Sequence, residues 1–359
     1  MANNCPYRNI DTTSYWSKSV ARLPSSELDP IISVKFNIDK FSKISTAGSC
    51  FAQHISKHLE DSGFNYYIAE EGNSLLSTDT KKRYNYGTFS ARYGNIYTTR
   101  QLIQTTLRAF GKFHPIENTW VEKTGRIVDP FRPYIQPEGF SSERELQRDR
   151  EQHFAAIRKL ISEFDVFVFT LGLTELWESR RDHAVFPVCP GCGVGTYDPE
   201  KYRFRNLSVE EIVQDLGQFI DICKLYNPLG KILLTVSPVP LIATMEKKHV
   251  LTATTLSKSI LRVAAETIAS HYDHVDYFPS YEIITGQYSR GRYYDDDLRT
   301  VTNEGVNHVM KCFFRHYAKV ELTSSKIEYQ QNENGQRSSS PSKELNTIIC
   351  DEDRLENYV

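Results

Sequence analysis

Long apolar runs are missing from this 359-residue chain. A membrane-spanning helix needs about 20 consecutive apolar residues, and none approaches that length. Residues 1–20 also lack the apolar centre of a secretory leader, so a cytoplasmic location without a transmembrane segment is expected. A basic excess is missing too. The 43 Lys and Arg are balanced by 45 Asp and Glu, a formal charge of −2, which removes the overall drive toward nucleic acid or anionic lipid. Seven scattered cysteines, an odd number, argue against a disulfide framework. No second close pair accompanies Cys189-Pro-Gly-Cys192, so a four-ligand zinc site cannot be built around it, and no metal is assigned. That motif lies among Pro187, Gly193 and Gly195 rather than at a strand-to-helix junction, and a loop without metal or redox role is expected there.

What is present is an alternation of strands and helices. The run Val166–Leu171 is apolar throughout, as in a strand buried on both faces of a parallel sheet, and Lys231–Val236 and Val275–Phe278 repeat the pattern. Between them, Ser142-x-x-Glu145 and Ser208-x-x-Glu211 read as capping signals for helices running to about Phe164 and Tyr226. Further helices are expected over Thr99–Ala109, Thr255–Ser270 and Thr302–Tyr317. Shorter strands are expected at Phe36–Ile38 and Phe64–Ala69. Such spacing makes βαβ units and a three-layer α/β/α sandwich with a mostly parallel sheet. The expected organisation is an N-terminal arm over 1–38, an α/β domain over 39–322 and a polar, disordered tail over 323–359. Insertions interrupt the domain at about 70–137 and 180–206.

The stretch Lys43–Gly63 stands out. Ile44 and Thr46 alternate as in a strand, Gly48-Ser49-Cys50 makes a turn, and Phe51, Ile55 and Leu59 follow at helical spacing. A thiol there sits at a helix N-terminus, where unpaired N–H groups and the helix dipole favour the thiolate. Polar residues just past a parallel strand, here Thr174 and Glu175, are placed to face a ligand crevice.

Gly48-Ser49-Cys50-Phe51-Ala52, followed by Gln53-His54-Ile55, resembles the signature of the GSCFA family, a bacterial group placed near the SGNH (GDSL) hydrolases. The resemblance implies an SGNH-like or flavodoxin-like sandwich with Cys50 as nucleophile. It also implies that Gly94, with Asn95 beside it in Tyr93-Gly94-Asn95-Ile96-Tyr97, helps to hold an oxyanion. Gly172-Leu173-Thr174-Glu175 resembles the third block, G-x-N-D, with Thr174 in the asparagine's place. Asp297-Leu298-Arg299-Thr300 resembles D-x-x-H with threonine where the histidine belongs, and threonine cannot take a proton near neutral pH. The candidates for the missing base are His249 first, then His308 and His183, with Asp297 as orienting carboxylate. Arg299 is a candidate for an anionic substrate group. His54 and His58, four apart, read as a solvated face rather than a metal pair.

The expected function is SGNH-like acyl transfer by an acyltransferase or esterase acting on a carbohydrate or an acyl-carrier thioester. No cofactor is required, and acetyl-CoA or another acyl-CoA is the candidate co-substrate. The resemblance extends to a related group in polysaccharide biosynthesis. Two other classes compete: a non-catalytic binding module that has lost its base, and a thiol-redox protein using Cys50 or the Cys189/Cys192 pair.

Overall fold

The structure, a computed structural model, describes residues 5–318 and Asp351. Apart from Asp351, the tail expected to be disordered lies outside the described residues.

Four parallel strands form the central sheet: β1 (Ile44–Gly48), β2 (Val166–Leu171), β3 (Lys231–Val236) and β4 (Val275–Tyr277), side by side in that order. The helices are α1 (Phe51–Asp61), α2 (Thr99–Ala109), α3 (Glu143–Glu163), α4 (Val209–Tyr226), α5 (Val250–His271) and α6 (Asn303–Phe313). Alternation along the strands sends side chains to two cores. Phe167, Phe169, Leu171, Ile232 and Leu234 enter the core that α2, α3, α4 and α5 also line. Ile44, Val166, Val168 and Leu233 enter the other, with Phe51, Ile55 and Leu59 of α1 and Val306, Val309 and Met310 of α6. This is the three-layer sandwich that the strand–helix alternation requires. Truncating Phe169, wholly buried in its centre, would cost about 3–5 kcal/mol.

The expected strand at Phe64–Ala69 shrinks to a single parallel bridge, Ile44 with Tyr66, on the far side of β1 from β2. Even so, it completes a doubly wound order. The chain leaves β1 one way to Tyr66 and the other way to β2, so the carboxyl ends of β1 and β2 form the switch point at which sheets of this kind bind ligands. Phe36–Ile38 forms no strand. Leu28, Phe36 and Ile38 are buried, and the arm is tied down by Ile38 N–H donating to Tyr317 O at 2.8 Å and His308 Nε2 bonding Leu28 O at 2.7 Å.

The insertions are more ordered than a loop reading allows. Glu175–Ser179 pairs antiparallel with Val185–Phe186 and with Tyr202–Asn206. Phe186 packs on Trp120 and Phe131, with ring centroids 5.3 and 5.4 Å away, so residues from both insertions share one small core.

A buried ionic network fastens the first insertion to α3. Arg92 and Arg132 each reach Asp149 at 2.7 Å, Arg132 also reaches Asp129 at 3.0 Å, and Arg150 reaches Asp129 at 3.2 Å. His153 Nδ1 bonds Glu70 at 2.7 Å, and Glu70 accepts the Arg92 N–H at 2.7 Å. Burial lowers the His153 pKa, with Glu70 acting against it. Burial pushes the Glu70 carboxyl up, but His153, Arg132 and the Arg92 N–H outweigh it and hold the group at about 2. A carboxyl lowered by folding adds stability that is complete above its ordinary value and fades as pH falls toward the folded one. Urea unfolding is therefore expected to show stability dropping on the order of 3 kcal/mol between pH 4.5 and 2 on account of Glu70 alone. Glu70→Gln should flatten that slope; an unchanged slope in the variant would mean that the carboxylate is not held down.

Candidate active site

The site is built where β1 ends. Gly48 has φ +144°, and a Cβ there would lie 2.4 Å from Thr170 O, so the backbone of β1 meets β2 as only glycine allows. Ser49 N–H then bonds Thr170 O at 3.4 Å, and the chain turns into α1 with Cys50 as its N-cap. Ala52 N–H donates to Ser49 O and Gln53 N–H to Cys50 O, at 2.9 and 3.1 Å, the first bonds of the helix. Cys50 is 7 % exposed and belongs to none of the apolar clusters. Its place in the first turn gives it the partial positive charge of the helix start. Ser49 Oγ and Thr170 Oγ1 are buried nearby without hydrogen-bond partners among the described residues.

The segment Gly94–Tyr97 crosses the ends of β1 and β2. Ile96 N–H donates to Gly48 O at 2.8 Å, while Tyr97 O accepts from Gly172 N–H at 3.2 Å and from Leu173 N–H at 2.9 Å. Gln101 of α2 holds the same loop, its Nε2 donating to Asn95 O at 2.8 Å and its Oε1 accepting from Tyr97 N–H at 2.9 Å. The buried Asn95 side chain is oriented by both of its ends. Oδ1 accepts from Gln53 Nε2 at 3.1 Å, and Nδ2 donates to the Asp351 carboxylate at 2.9 Å. The Asp351 N–H in turn reaches Tyr97 OH at 3.1 Å. Gln53, one turn into α1, thus links the nucleophile's helix to the amide, and a carboxylate oxygen already rests on that amide. Gly94, Asn95 and Asp351 line a recess with Tyr93, Arg132 and Tyr134.

Lys258 of α5 is 1 % exposed and donates from Nζ to Gly172 O at 2.7 Å, just past the end of β2. Sequence reasoning passed over it. The available signal was a lysine set within the apolar stripe Ala253, Ser257, Leu261, Ala264 and Ala265 of an otherwise amphipathic helix. Asp351, Gln53 and Tyr97 were also passed over, because their convergence is tertiary.

Asn95, next to Gly94, is tied through Gln53 to the helix that Cys50 caps, and the other candidates lie as follows. Thr174 is wholly buried, and its hydroxyl donates to Ser257 Oγ at 3.0 Å. Glu175 opens the antiparallel sheet and accepts from Thr244 Oγ1 at 2.7 Å; burial, only partly offset by that bond, raises its pKa. His249 is exposed and is the N-cap of α5, which begins several residues earlier than Thr255. Its Nδ1 accepts from Leu251 N–H at 3.2 Å, so the ring is spent on the helix end. Asp297 is exposed and closes its own turn. Oδ1 accepts from the N–H groups of Arg299 and Thr300, each at 2.8 Å, and Oδ2 accepts the Thr300 hydroxyl at 2.5 Å. Those bonds outweigh burial and lower its pKa. Arg299 Nε donates to Pro240 O at 3.3 Å, beyond the end of β3.

Three further histidines are engaged elsewhere. His308 has both ring nitrogens occupied, by Tyr293 OH at 2.8 Å and Leu28 O at 2.7 Å. His183 lies against Glu178 and Arg203 in the second insertion. His58 bonds His54 O and Asn307 Oδ1, so it does not face His54 as a metal pair would. Among the described residues no group of three His, Cys, Asp or Glu is placed to hold a metal, and no helix is long and apolar enough to cross a membrane. Burial and the neighbouring Cys192 push the Cys189 thiol up to about 12, which leaves little thiolate there.

A parallel α/β sandwich with a thiol at its first strand-to-helix turn and a fixed amide across the crevice is the class of protein that these features define. The chain belongs to the GSCFA family, whose model matches residues 43–313. No curated protein matches it. Among solved structures, it is similar to a protein of Parabacteroides merdae provisionally described as a GDSL-like lipase, at 14 % identity over 79 % of this chain and 98 % of that one, with a TM-score of 0.33. It is also similar to a protein provisionally described as a platelet activating factor from Streptococcus pneumonia, at 18 % identity over 43 % of this chain, with a TM-score of 0.26. The chain spans 59 % of that protein's length.

The two site glycines are expected to respond differently to substitution. Gly48→Ala drives a Cβ into the backbone of β2 and should cost roughly 3 kcal/mol or more. Gly94 has φ +73° with open space around it, so Gly94→Ala should cost only about 1–2 kcal/mol of backbone strain. Urea midpoints compare them, and equal losses would contradict the close approach at Gly48.

Proposed function

We propose that the protein is an acyl-transfer enzyme, an esterase or acyltransferase, with Cys50 as its nucleophile. The carrying observation is the Asn95 amide. Gln53 fixes its orientation, and its N–H already holds an anionic oxygen, as an oxyanion-hole donor must. In the first step the Cys50 thiolate adds to the substrate carbonyl, and Asn95 Nδ2 with the Gly94 N–H carries the negative charge that develops on oxygen. The bond to the leaving alkoxide or thiolate then breaks, and the leaving group takes up a proton. Water or an acceptor hydroxyl attacks the resulting thioester, releasing the acyl group and restoring the thiol. The acyl donor is an ester or an acyl-carrier thioester such as acetyl-CoA. The acceptor in this reading is a carbohydrate hydroxyl, which is the setting that polysaccharide biosynthesis would provide; the recess of about 30 Å³ beside Asn95 has no room for a sugar ring, which would lie outside it.

A second reading, a binding module without catalysis, draws on Thr300. Its hydroxyl is donated to Asp297, so the pair closes a turn instead of relaying a proton.

Incubation with aryl acetates and with acetyl-CoA separates the two readings. The wild-type protein should turn over and carry an acyl group on Cys50 by peptide mapping. Cys50→Ala should abolish turnover at an unchanged melting temperature, and Asn95→Ala should lower kcat about 100-fold with little change in KM. Equal low rates in wild type and Cys50→Ala would leave the binding module as the correct reading. Because the Asp351 carboxylate rests on the amide that the substrate needs, Asp351→Ala is expected to lower KM several-fold without lowering kcat; a raised KM would show instead that Asp351 contacts substrate favourably.

A further inference from the structure

Acyl transfer through a thiol needs a group that accepts the Cys50 proton and later returns it. His249, His308 and His183 are bonded at other places in the fold. One histidine shares a helix face with the thiol.

We infer that His54 is the proton acceptor for Cys50, so that α1 carries both the nucleophile and its base. This rests on the acyl-transfer reading above. Cys50 is the N-cap of α1, yet its φ of −52° and ψ of −29° are already helical, so helical spacing holds from Cys50 onward. Residues four apart in a helix are neighbours on one face, with Cβ atoms about 5–6 Å apart. A ring on a helix leans back toward the N-terminus, over the turn before its own. The His54 ring does this, its centroid 5.7 Å from that of Phe51, the residue next to Cys50.

The same turn fixes which side of the thiol the imidazole takes. At about 100° per residue, His54 stands about 40° from Cys50 around the axis and Gln53 about 60° away in the opposite sense. Gln53 is the residue that holds Asn95. The thiol therefore lies between a base on one side and, through Gln53, the oxyanion amide on the other. His58, the next histidine of that helix, spends its nitrogens on His54 O and Asn307 Oδ1. His54 is only partly buried, so a substrate can approach it.

Burial holds the His54 pKa at about 4, with His58 and Lys57 of its own helix adding to the effect. The ring is thus neutral at pH 7, the form that accepts a proton. Moving the proton from Sγ to the ring converts a neutral thiol and imidazole into thiolate and imidazolium, so the net charge does not change. An opposite charge within about 4–6 Å shifts a group toward its charged form by about 1–3 units, which the ring gains once the thiolate stands beside it. In the forward step the C–S bond forms as the ring takes the proton, the C–O or C–S bond to the leaving group breaks, and the imidazolium protonates the departing oxygen or sulfur. The neutral ring then takes the proton of water or of the acceptor hydroxyl as that oxygen attacks the thioester. The Cys50 thiolate leaves and regains its proton from the imidazolium.

Alkylation of Cys50 by iodoacetamide across pH, followed by peptide mapping, tests this without requiring turnover, with the exposed Cys5 as internal reference. The wild-type midpoint for Cys50 should lie below the ordinary thiol value of about 8.5; a midpoint at or above that value overturns the proposal even if no variant folds. His54→Gln should slow Cys50 alkylation at pH 7 by about tenfold or more, leave Cys5 unchanged and lower the turnover of aryl acetates by about 100-fold or more. Unchanged alkylation or full turnover in that variant overturns the proposal. His58→Gln should leave both rates as they are, and a loss equal to that of His54→Gln would show that the effect belongs to the helix and not to a base. Inactive Cys50→Ala together with fully active His54→Gln would keep the acyl-transfer reading and remove His54 from it. If the wild type turns over no acyl donor while alkylation still depends on His54, the acyl-transfer reading fails and the thiol–imidazole pairing stands.

Discussion

The closeness of two backbones organises this molecule. At its last residue β1 comes so near β2 that a Cβ on Gly48 would fall 2.4 Å from Thr170 O, and one residue past β2 a Cβ on Gly172 would lie 3.0 Å from Ser49 Cβ. A side chain is excluded at Gly48 and crowded at Gly172, and what remains is a floor of main chain beside the turn that carries Cys50. The doubly wound order puts that floor at the point where connections diverge, so no crossover helix covers it. Neither glycine is there for flexibility in the usual sense; each is there because another chain segment occupies the space where a side chain would be.

The first insertion has to be held as firmly as the floor, because it brings Gly94 and Asn95. Its fastening is ionic. Arg92 sits two residues before Gly94 and reaches Asp149 of α3, and Arg132, in the recess wall, reaches the same carboxylate. Breaking one partner of such a buried pair typically costs about 3–5 kcal/mol, whereas a hydrophobic replacement of the whole set can be neutral. The network's use is therefore directional more than energetic: guanidinium forks fix where the loop lies. The amide of Asn95 inherits that position, and Gln53 then settles which end of it faces the recess.

How much of this was legible in the chain follows the range of the forces involved. Ser208-x-x-Glu211 forms a reciprocal capping box, and α2 runs Thr99–Ala109 as its period requires, because capping and amphipathicity are local. Ser142-x-x-Glu145 is half of one: Ser142 accepts from the Glu145 N–H, but the glutamate turns to the Ser141 N–H at 2.8 Å. The thiol turn was readable because strand period, glycine and helix period succeed one another within a few residues. Phe64–Ala69 has the residues of a strand, yet edge pairing with β1 survives only at Tyr66, since strand length depends on what the partner offers. Glu175–Ser179 was hidden because its partner Tyr202–Asn206 lies beyond a Pro- and Gly-rich loop. His249 was misplaced because a histidine at a helix N-cap gives none of the usual Ser, Thr, Asp or Asn signal, so α5 was started too late.

The turn at Asp297 shows why a motif's spacing can outlast its chemistry. In a D-x-x-H arrangement the carboxylate would orient an imidazole. Here the same separation lets it accept the Thr300 hydroxyl and two backbone N–H groups, which holds Leu298 at φ +54° and sets Arg299 against Pro240. The carboxylate's task here is geometric: it shapes the loop past β4. From the buried face of α5, Lys258 reaches just past the end of β2 and donates to Gly172 O at 2.7 Å, so that end of the strand is tied to a second helix through its main chain.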